Sequence, residues 1–512
     1  MKLDLSRNTW HEADGVSVCG FCYDEKNHVV SGPELARHFS SASTAETLSQ
    51  MLKEANGQFA VVVNKANLRA AAVDRIRSIP LYYDDCMVGD QPYGMSGKEA
   101  AIDRVALMEY RASGNTFAGK TLIENISQIP AGAMVTWQDG EARTKQYWTF
   151  LCRREEERHI GTEELRERIE ETFRHTHEAI EGRHVAIPIS GGYDSRLIAT
   201  MLKRKGIVDA LCYHIGRHGS DEERFARASA EALGFRYILL DGQELSKENA
   251  NYLEDPDFEN YYRRVGDYTN FVWLYEYFGL RKMISEGEIE PDTVFIPGHS
   301  GDFLAGSHIH KGNITPTTSA KNLAASILLR NFEYRCEYTV AKEVYDYFKN
   351  TLADGSTAFS AYQWFIMQNR QAQQIVNSTK VYGHFGHASL LPLWDNALTD
   401  LFRTAHHEQL RNCGLYNDCV RQIFAEMGLP TEKAGGIAKP AKLSRLLIKR
   451  TLHKTIVNRM VRIGDETGEE IMCQPMLRRL VETGFYPSAR HFTSSNEIIK
   501  DWYEHKVVQN RH

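Results

Sequence analysis

Over the first 150 residues the apolar positions fall in short alternating or β-branched runs, such as Phe59-Ala60-Val61-Val62-Val63 and Ala133-Met134-Val135-Thr136-Trp137, broken by turn-forming residues. That pattern predicts an antiparallel sheet domain. From Glu155 to Glu181 dense Glu and Arg surround spaced apolar positions, which predicts an amphipathic helix leading into a second region. Beyond His184 short apolar runs alternate with helical stretches, the pattern of a parallel sheet with crossover helices. Strands are expected at Val185–Ile189, Ala210–Ile215, Arg236–Leu240 and Thr293–Ile296. Helices are expected from Leu197 to Lys203 and from Asp221 to Leu233, the second stopped by Gly234. Past residue 320 the chain reads as mostly helical, and it carries no internal repeat.

A chain of 512 residues exceeds a single ordinary core. The expected division is 1–150, 160–445 and a basic helical extension over 446–512. Apolar residues at 42% and charged residues at 25% belong to the ordinary soluble globular range, which excludes a disordered or fibrous chain. A net charge of -6 argues against nucleic acid as the main partner, because phosphate binding needs a clustered positive field. The start, Met1-Lys2-Leu3-Asp4-Leu5-Ser6, has no apolar stretch of signal-peptide length, and no membrane-length apolar run follows, so a cytoplasmic location is expected. Nine scattered cysteines fit a reducing compartment, and the Cys19-x2-Cys22 pair lacks a second pair at zinc-site spacing.

The strongest chemical signal is Ser190-Gly191-Gly192-Tyr193-Asp194-Ser195, between an expected strand and an expected helix. Two glycines let the backbone approach a phosphate, and the N–H groups at the helix start form an anion site. Ser190 and Ser195 add hydroxyl donors, and Asp194 suits Mg²⁺ held against phosphates.

This loop resembles that of the PP-loop ATP pyrophosphatases, which adenylate a substrate and release pyrophosphate, and further segments are similar to asparagine synthetases in particular. Tyr213-His214-Ile215-Gly216 through Asp221-Glu222-Glu223-Arg224-Phe225-Ala226 resembles their second strand and acidic helix start, and Pro297-Gly298-His299-Ser300-Gly301-Asp302-Phe303-Leu304-Ala305-Gly306 resembles their second signature loop. The resemblance implies that Ile189, Ser190, Gly191, Gly192, Asp194, Ser195, Ile215 and Gly298 bind ATP, with Ile215 lining the adenine pocket. It also implies that Asp194 and Asp302 hold Mg²⁺. Leu391-Pro392-Leu393-Trp394-Asp395 and Leu429-Pro430-Thr431-Glu432-Lys433-Ala434-Gly435-Gly436 match later family segments. The second implies a catalytic lysine, Lys433, although Lys439 and Lys442 follow closely.

Two positions depart from the family: His299 and Phe303 stand where asparagine synthetases usually have Glu. In the related β-lactam synthetases the position of His299 carries a tyrosine concerned with the attacking amine. A histidine there is a candidate general base, although a structural histidine fits the sequence equally well.

Asn56-Gly57-Gln58-Phe59-Ala60, Asp74-Arg75-Ile76-Arg77-Ser78-Ile79-Pro80-Leu81-Tyr82-Tyr83, Ile129-Pro130-Ala131-Gly132 and Tyr147-Trp148 resemble the glutaminase domain of the same family. An active glutaminase of this type needs a cysteine after the initiator methionine, for its thiolate and its α-amine; that position is Lys2, so no glutaminase activity is expected.

Gly114-Asn115-Thr116-Phe117-Ala118-Gly119-Lys120-Thr121 satisfies a Walker A pattern, but Pro130 follows too soon for the long helix such a loop must open. The basic segment 442–463 reads as a solvated helix face, with an anionic substrate, a partner or a membrane surface as the alternative.

The expected protein is therefore α/β. A degenerate, N-terminal-nucleophile-type antiparallel β-sandwich precedes a PP-loop, adenine nucleotide α-hydrolase-like parallel sheet with a helical lobe. The resemblance implies an ATP- and Mg²⁺-dependent, AMP-forming ligase joining a small-molecule carboxylate, such as a sugar acid of surface polysaccharides, to ammonia or an amine. A separate glutaminase is a candidate ammonia source. Asparagine synthesis itself, intramolecular amide formation as in β-lactam synthetases and lasso-peptide cyclases, a tRNA ligase similar to lysidine synthetase, and a non-catalytic ATP-binding scaffold are the alternatives.

Overall fold

The computed structural model describes residues 1–95, 100–117, 119–312, 314–332, 336–434, 472–486 and 495–509. Strands β1 (Lys2–Asp4), β2 (His11–Ala13), β3 (Val16–Tyr23) and β4 (Val29–Ser31) open the chain. They are followed by β5 (Asn56–Asn64), β6 (Arg69–Val73), β7 (Tyr82–Tyr83), β8 (Met87–Gly89), β9 (Ser127–Gln128), β10 (Ala133–Gln138) and β11 (Glu141–Gln146). One sheet has the order β11-β10-β6-β5-β3-β2, with β4 also on β3, and its pairs are antiparallel. A smaller sheet runs β1-β8-β7-β9. The β-branched run anticipated at Phe59–Val63 is the centre of β5, with Val61, Val62 and Val63 fully buried because helices or the second sheet cover both faces.

The chemistry-bearing half is built on a parallel sheet of β12 (Val185–Pro188), β13 (Leu211–Gly216), β14 (Arg236–Asp241), β15 (Val294–Phe295) and β16 (Ala388–Ser389), in the order β14-β13-β12-β15-β16. Crossover helices Tyr193–Arg204 and Asp221–Ala232 stand within one residue or a few of the expected spans. Ser220 caps the second by accepting from the Glu223 N–H, and Asp221, Glu222 and Glu223 complement its positive end.

The amphipathic helix expected from Glu155 starts later, at Thr162, and runs to Ala179. Gly161 precedes it, and the backbone before it is committed elsewhere: the Arg158 N–H donates to the Thr404 carbonyl (2.8 Å) and the Ile160 N–H to Gln409 Oε1 (2.8 Å). Beyond residue 320 helices dominate, as read from the sequence. The described last helix, Ser495–Gln509, buries Trp502 and Tyr503, and Tyr503 Oη accepts from the Tyr268 N–H at 2.9 Å. The basic segment 442–463, Lys439 and Lys442 lie outside the described residues.

The two halves of the chain share polar contacts at their motif segments. Asn56 Nδ2 donates to the Asp395 carboxylate (3.0 Å), Asn56 Oδ1 accepts from the Asn396 N–H (3.0 Å), and Gln58 Oε1 accepts from the Leu391 N–H (2.9 Å). His175 joins Asp395 at 2.7 Å.

Candidate functional site

In the parallel sheet the chain leaves β12 towards β13 on one side and reaches β15 on the other, so the strand order reverses between β12 and β15. Open α/β sheets leave a crevice at the carboxyl ends of their strands at such a reversal. Both glycine-rich loops lie there: Ser190–Gly192 follows β12 and Pro297–Ser300 follows β15.

The first loop is shaped by its own side chains. Ser195 Oγ accepts from the Ser190 N–H (2.9 Å), Ser190 Oγ accepts from the Gly192 N–H (3.3 Å), and the helix starts at Tyr193 with Gly192 as its cap. A Cβ on Gly298 would stand 2.4 Å from the Ser195 nitrogen, so the second loop lies against the first at backbone distance. Ser300 adopts φ +146°, a region costly for a non-glycine residue, with its hydroxyl donating to Gln371 Oε1 at 2.6 Å. Gln371 belongs to a π-helical stretch, Met367–Ile375, a form that often marks functional sites.

Asp194, half-buried, meets the Asp302 backbone across the two loops. Asp194 Oδ2 accepts from the Asp302 N–H (2.9 Å) and Asp194 Oδ1 from the Tyr416 hydroxyl (2.8 Å). Burial first, and then the Asp302 charge, raise the Asp194 pKa, against the opposing pull of those two donors and of Lys433. Two carboxylates whose charges act on one another in this way favour a shared proton or a cation.

Lys433 reaches the same place through a third element. Arg196 donates to the carbonyls of Gly192 (2.9 Å), Pro430 (2.9 Å) and Glu432 (2.5 Å), and the Tyr193 hydroxyl donates to the Thr431 carbonyl (2.7 Å). The Lys433 ammonium then lies 4.3 Å from the Tyr193 ring centroid. A Cβ on Gly191 would meet Ala434 Cβ at 2.5 Å, which explains a glycine there.

These groups line a cavity of about 480 Å³ with Ser190, Gly192, Tyr193, Asp194, Ser195, Gly298, His299, Asp302 and Lys433 in its wall. That volume suits a small-molecule site. Ile189 is buried beneath the loop, and Ile215 packs towards Gly279 at the end of β13; neither is part of the lining. His299 is half-buried, and the protein around it lowers its pKa to about 4, so its imidazole is neutral at physiological pH. A larger cleft of about 920 Å³ lies against Arg75, Trp148 and Arg403, away from both glycine-rich loops.

Phe303 does not face this cavity. It is fully buried, 5.8 Å from Trp394 and 5.5 Å from His308 by ring centroids, and Gln363 Nε2 donates to its carbonyl at 3.2 Å. The Walker-like stretch opens no helix at its described residues: Gly114 ends the helix Arg104–Ser113, and the Lys120 ammonium is paired with Glu109 and Glu343.

Residues 164–435, more than half of the chain, match the asparagine synthase family. The chain belongs to that family. Residues 35–148 match a glutamine amidotransferase domain. Members of the family are ATP-using amidotransferases and ligases that form carbon–nitrogen bonds. No curated protein matches the chain. Among solved structures, a U34-tRNA thiolase from Methanococcus maripaludis with its 4Fe-4S cluster is 15% identical, covering 41% of this chain and 81% of that chain at a TM-score of 0.21.

Sequence reasoning within this family passed over Trp273, Tyr275, Glu276, Ile375, Ser378, Tyr382 and Tyr416, although the first six line the cavity and Tyr416 holds Asp194. Glu276 is half-buried, bound by the hydroxyls of Tyr213 and Tyr382 (the latter at 3.0 Å), and desolvation by the surrounding protein raises its pKa. Apart from Trp273, which immediately precedes one, these residues sit in helices, and none lies in a local motif, so no sequence signal distinguishes them from ordinary core positions. Among the described residues no helix is long and apolar enough to cross a membrane.

Proposed function

We propose that this chain is an AMP-forming amide ligase that activates a small-molecule carboxylate with Mg·ATP and passes it to ammonia or an amine. The observation that carries the reading is the convergence of Asp194, Asp302 and Lys433 on one cavity at the switch point of the sheet. In this reading the backbone of Ser190–Ser195 and Gly298 cradles the phosphates, with Ile189 beneath the loop and Ile215 towards the adenine. Asp194 and Asp302 are the ligands for Mg²⁺, which when bound neutralises charge on the leaving phosphates. The raised pKa of Asp194 supports that assignment, because a divalent cation offsets both of its causes, desolvation first and then the Asp302 charge.

The substrate carboxylate oxygen bonds to the α-phosphorus as the bond to pyrophosphate breaks, and Lys433 offsets the charge that develops there. The nitrogen nucleophile then bonds to the acyl carbon and AMP leaves. His299, neutral in its pocket, is proposed to accept the proton that the nitrogen loses. Phe303 does not count against turnover, since its side chain lies in the core.

Nitrogen is supplied as free ammonia or an amine, or by a separate glutaminase. In support, burial pushes the thiols of Cys19 and Cys22 on β3 up to about 12, which makes them poor nucleophiles. We further propose the division 1–150, 160–445 and 446–512 and a cytoplasmic location.

The test is pyrophosphate and AMP release from Mg·ATP with a panel of carboxylates plus ammonia. Release stimulated by one carboxylate establishes the ligase; ATP binding without release across the panel would replace this reading with that of a nucleotide-binding scaffold.

A further inference from the structure

Between β11 and the helix Thr162–Ala179 the chain docks on a distant loop. Arg158 and Ala405 form a parallel bridge, with the Arg158 N–H donating to the Thr404 carbonyl and the His406 N–H to the Arg158 carbonyl, each at 2.8 Å. This pairing holds Glu157 beside His406 and His407. One ligand atom of each residue, a carboxylate oxygen and two imidazole nitrogens, lies within 4.8 Å of the other two. All three side chains are partly buried, at 10%, 24% and 22% exposure.

Three details distinguish this group from a chance meeting of charged side chains. Glu157 Oε2 stands 3.3 Å from His407 Nδ1, long for a hydrogen bond but near the separation of two donors bonded tetrahedrally to one ion at about 2.0–2.1 Å. His406 Nδ1 is buried and finds no hydrogen-bond partner among the described residues; Glu408 stands 3.9 Å away, beyond hydrogen-bond reach. Both rings are also held by stacking, His407 on Phe359 (4.9 Å, 12°) and His406 on His159 (4.3 Å, 20°).

We propose that Glu157, His406 and His407 form a divalent-cation site of the zinc class. Two imidazoles and one carboxylate suit a borderline ion such as Zn²⁺, with water in the remaining position, better than Mg²⁺, which takes oxygen ligands. The site shares no residue with the nucleotide cavity. Bound there, the ion staples the connection after β11 to the segment 404–407.

Titration of the chelator-treated full chain with Zn²⁺, in excess Mg²⁺ to fill oxygen-rich sites, tests this. One Zn²⁺ is expected to bind and to raise Tm, and Co²⁺ in its place to show the visible bands of a tetrahedral site. His407→Ala and the shape-preserving Glu157→Gln are each expected to weaken Zn²⁺ binding about tenfold or more. The exposed His38→Ala should leave it unchanged. Should the alanine variant fail to fold, Glu157→Gln decides alone. Affinity and stoichiometry unchanged in both variants, or an octahedral Co²⁺ spectrum, would overturn the site.

Discussion

Asp194 is the residue on which structure and chemistry pull hardest against one another. Its partial desolvation near the Asp302 charge is unfavourable without a cation, so Asp194→Asn is expected to leave Tm in the absence of Mg²⁺ unchanged or higher, while pyrophosphate release falls about 100-fold or more. A fall in activity accompanied by a large loss of Tm would instead indicate a structural role. Lys380 is a second strained charge, buried against Asp267 at 2.8 Å alongside Arg7, with burial lowering its pKa to about 7. Between that value and the ordinary 10.5 the unfolded chain holds a proton that the folded chain lacks, so this residue makes stability rise with pH, by at most about 1.4 kcal/mol per pH unit. Buried cysteines and tyrosines with raised pKa values act in the opposite sense there. The reading is therefore the difference between wild type and Lys380→Met in urea unfolding at pH 7 and pH 9, with a smaller gain, or a larger loss, in the variant. Asp267 contributes in a separate window: its lowered pKa gives stability present above the ordinary carboxylate range and lost as pH falls through the folded value.

At the scale of elements, Arg196 ties the helix after the first loop to the segment carrying Lys433. Arg196→Met removes three donors and leaves three carbonyls to find other partners. The expected outcome is a fall in kcat for pyrophosphate release larger than any change in KM for ATP, with about 2 kcal/mol of stability lost in urea unfolding. Phe303 gives a prediction opposite to the one its sequence position invites. Restoring the family's Glu by Phe303→Glu would put a carboxylate into the apolar contact with Trp394, so the variant is expected to lose several kcal/mol or to fail to fold rather than to gain activity. Thermal unfolding of that variant is the measurement, and an unchanged Tm would contradict the placement of this side chain. The strand at β5 and the helix at Asp221–Ala232 were legible in advance because their apolar period and caps are local. The helix expected from Glu155 was not, because backbone pairing to Thr404 overrides its charge pattern.

Across the whole molecule the two motif-bearing halves are joined where Asn56 and His175 converge on Asp395. Removing that buried carboxylate takes the shared acceptor from Asn56 Nδ2 and His175 Nδ1, so Asp395→Ala is expected to cost about 2–4 kcal/mol, read as a lower urea midpoint. Asp395 and Asn56 were each conspicuous in their own segments, yet nothing in either segment indicated that they touch. The sequence by itself determined the α/β alternation, the two glycine-rich loops and the acids they carry, because strand period, capping and close phosphate approach are local demands on neighbouring residues. Only the tertiary structure decided that Phe303 turns into the core, that Tyr416 holds Asp194, that Glu276 lines the cavity, and that Glu157 stands beside His406 and His407. Those outcomes depend on contacts between segments far apart in the chain, set by how sheets and helices pack, and the period of a single segment carries no record of its distant partner.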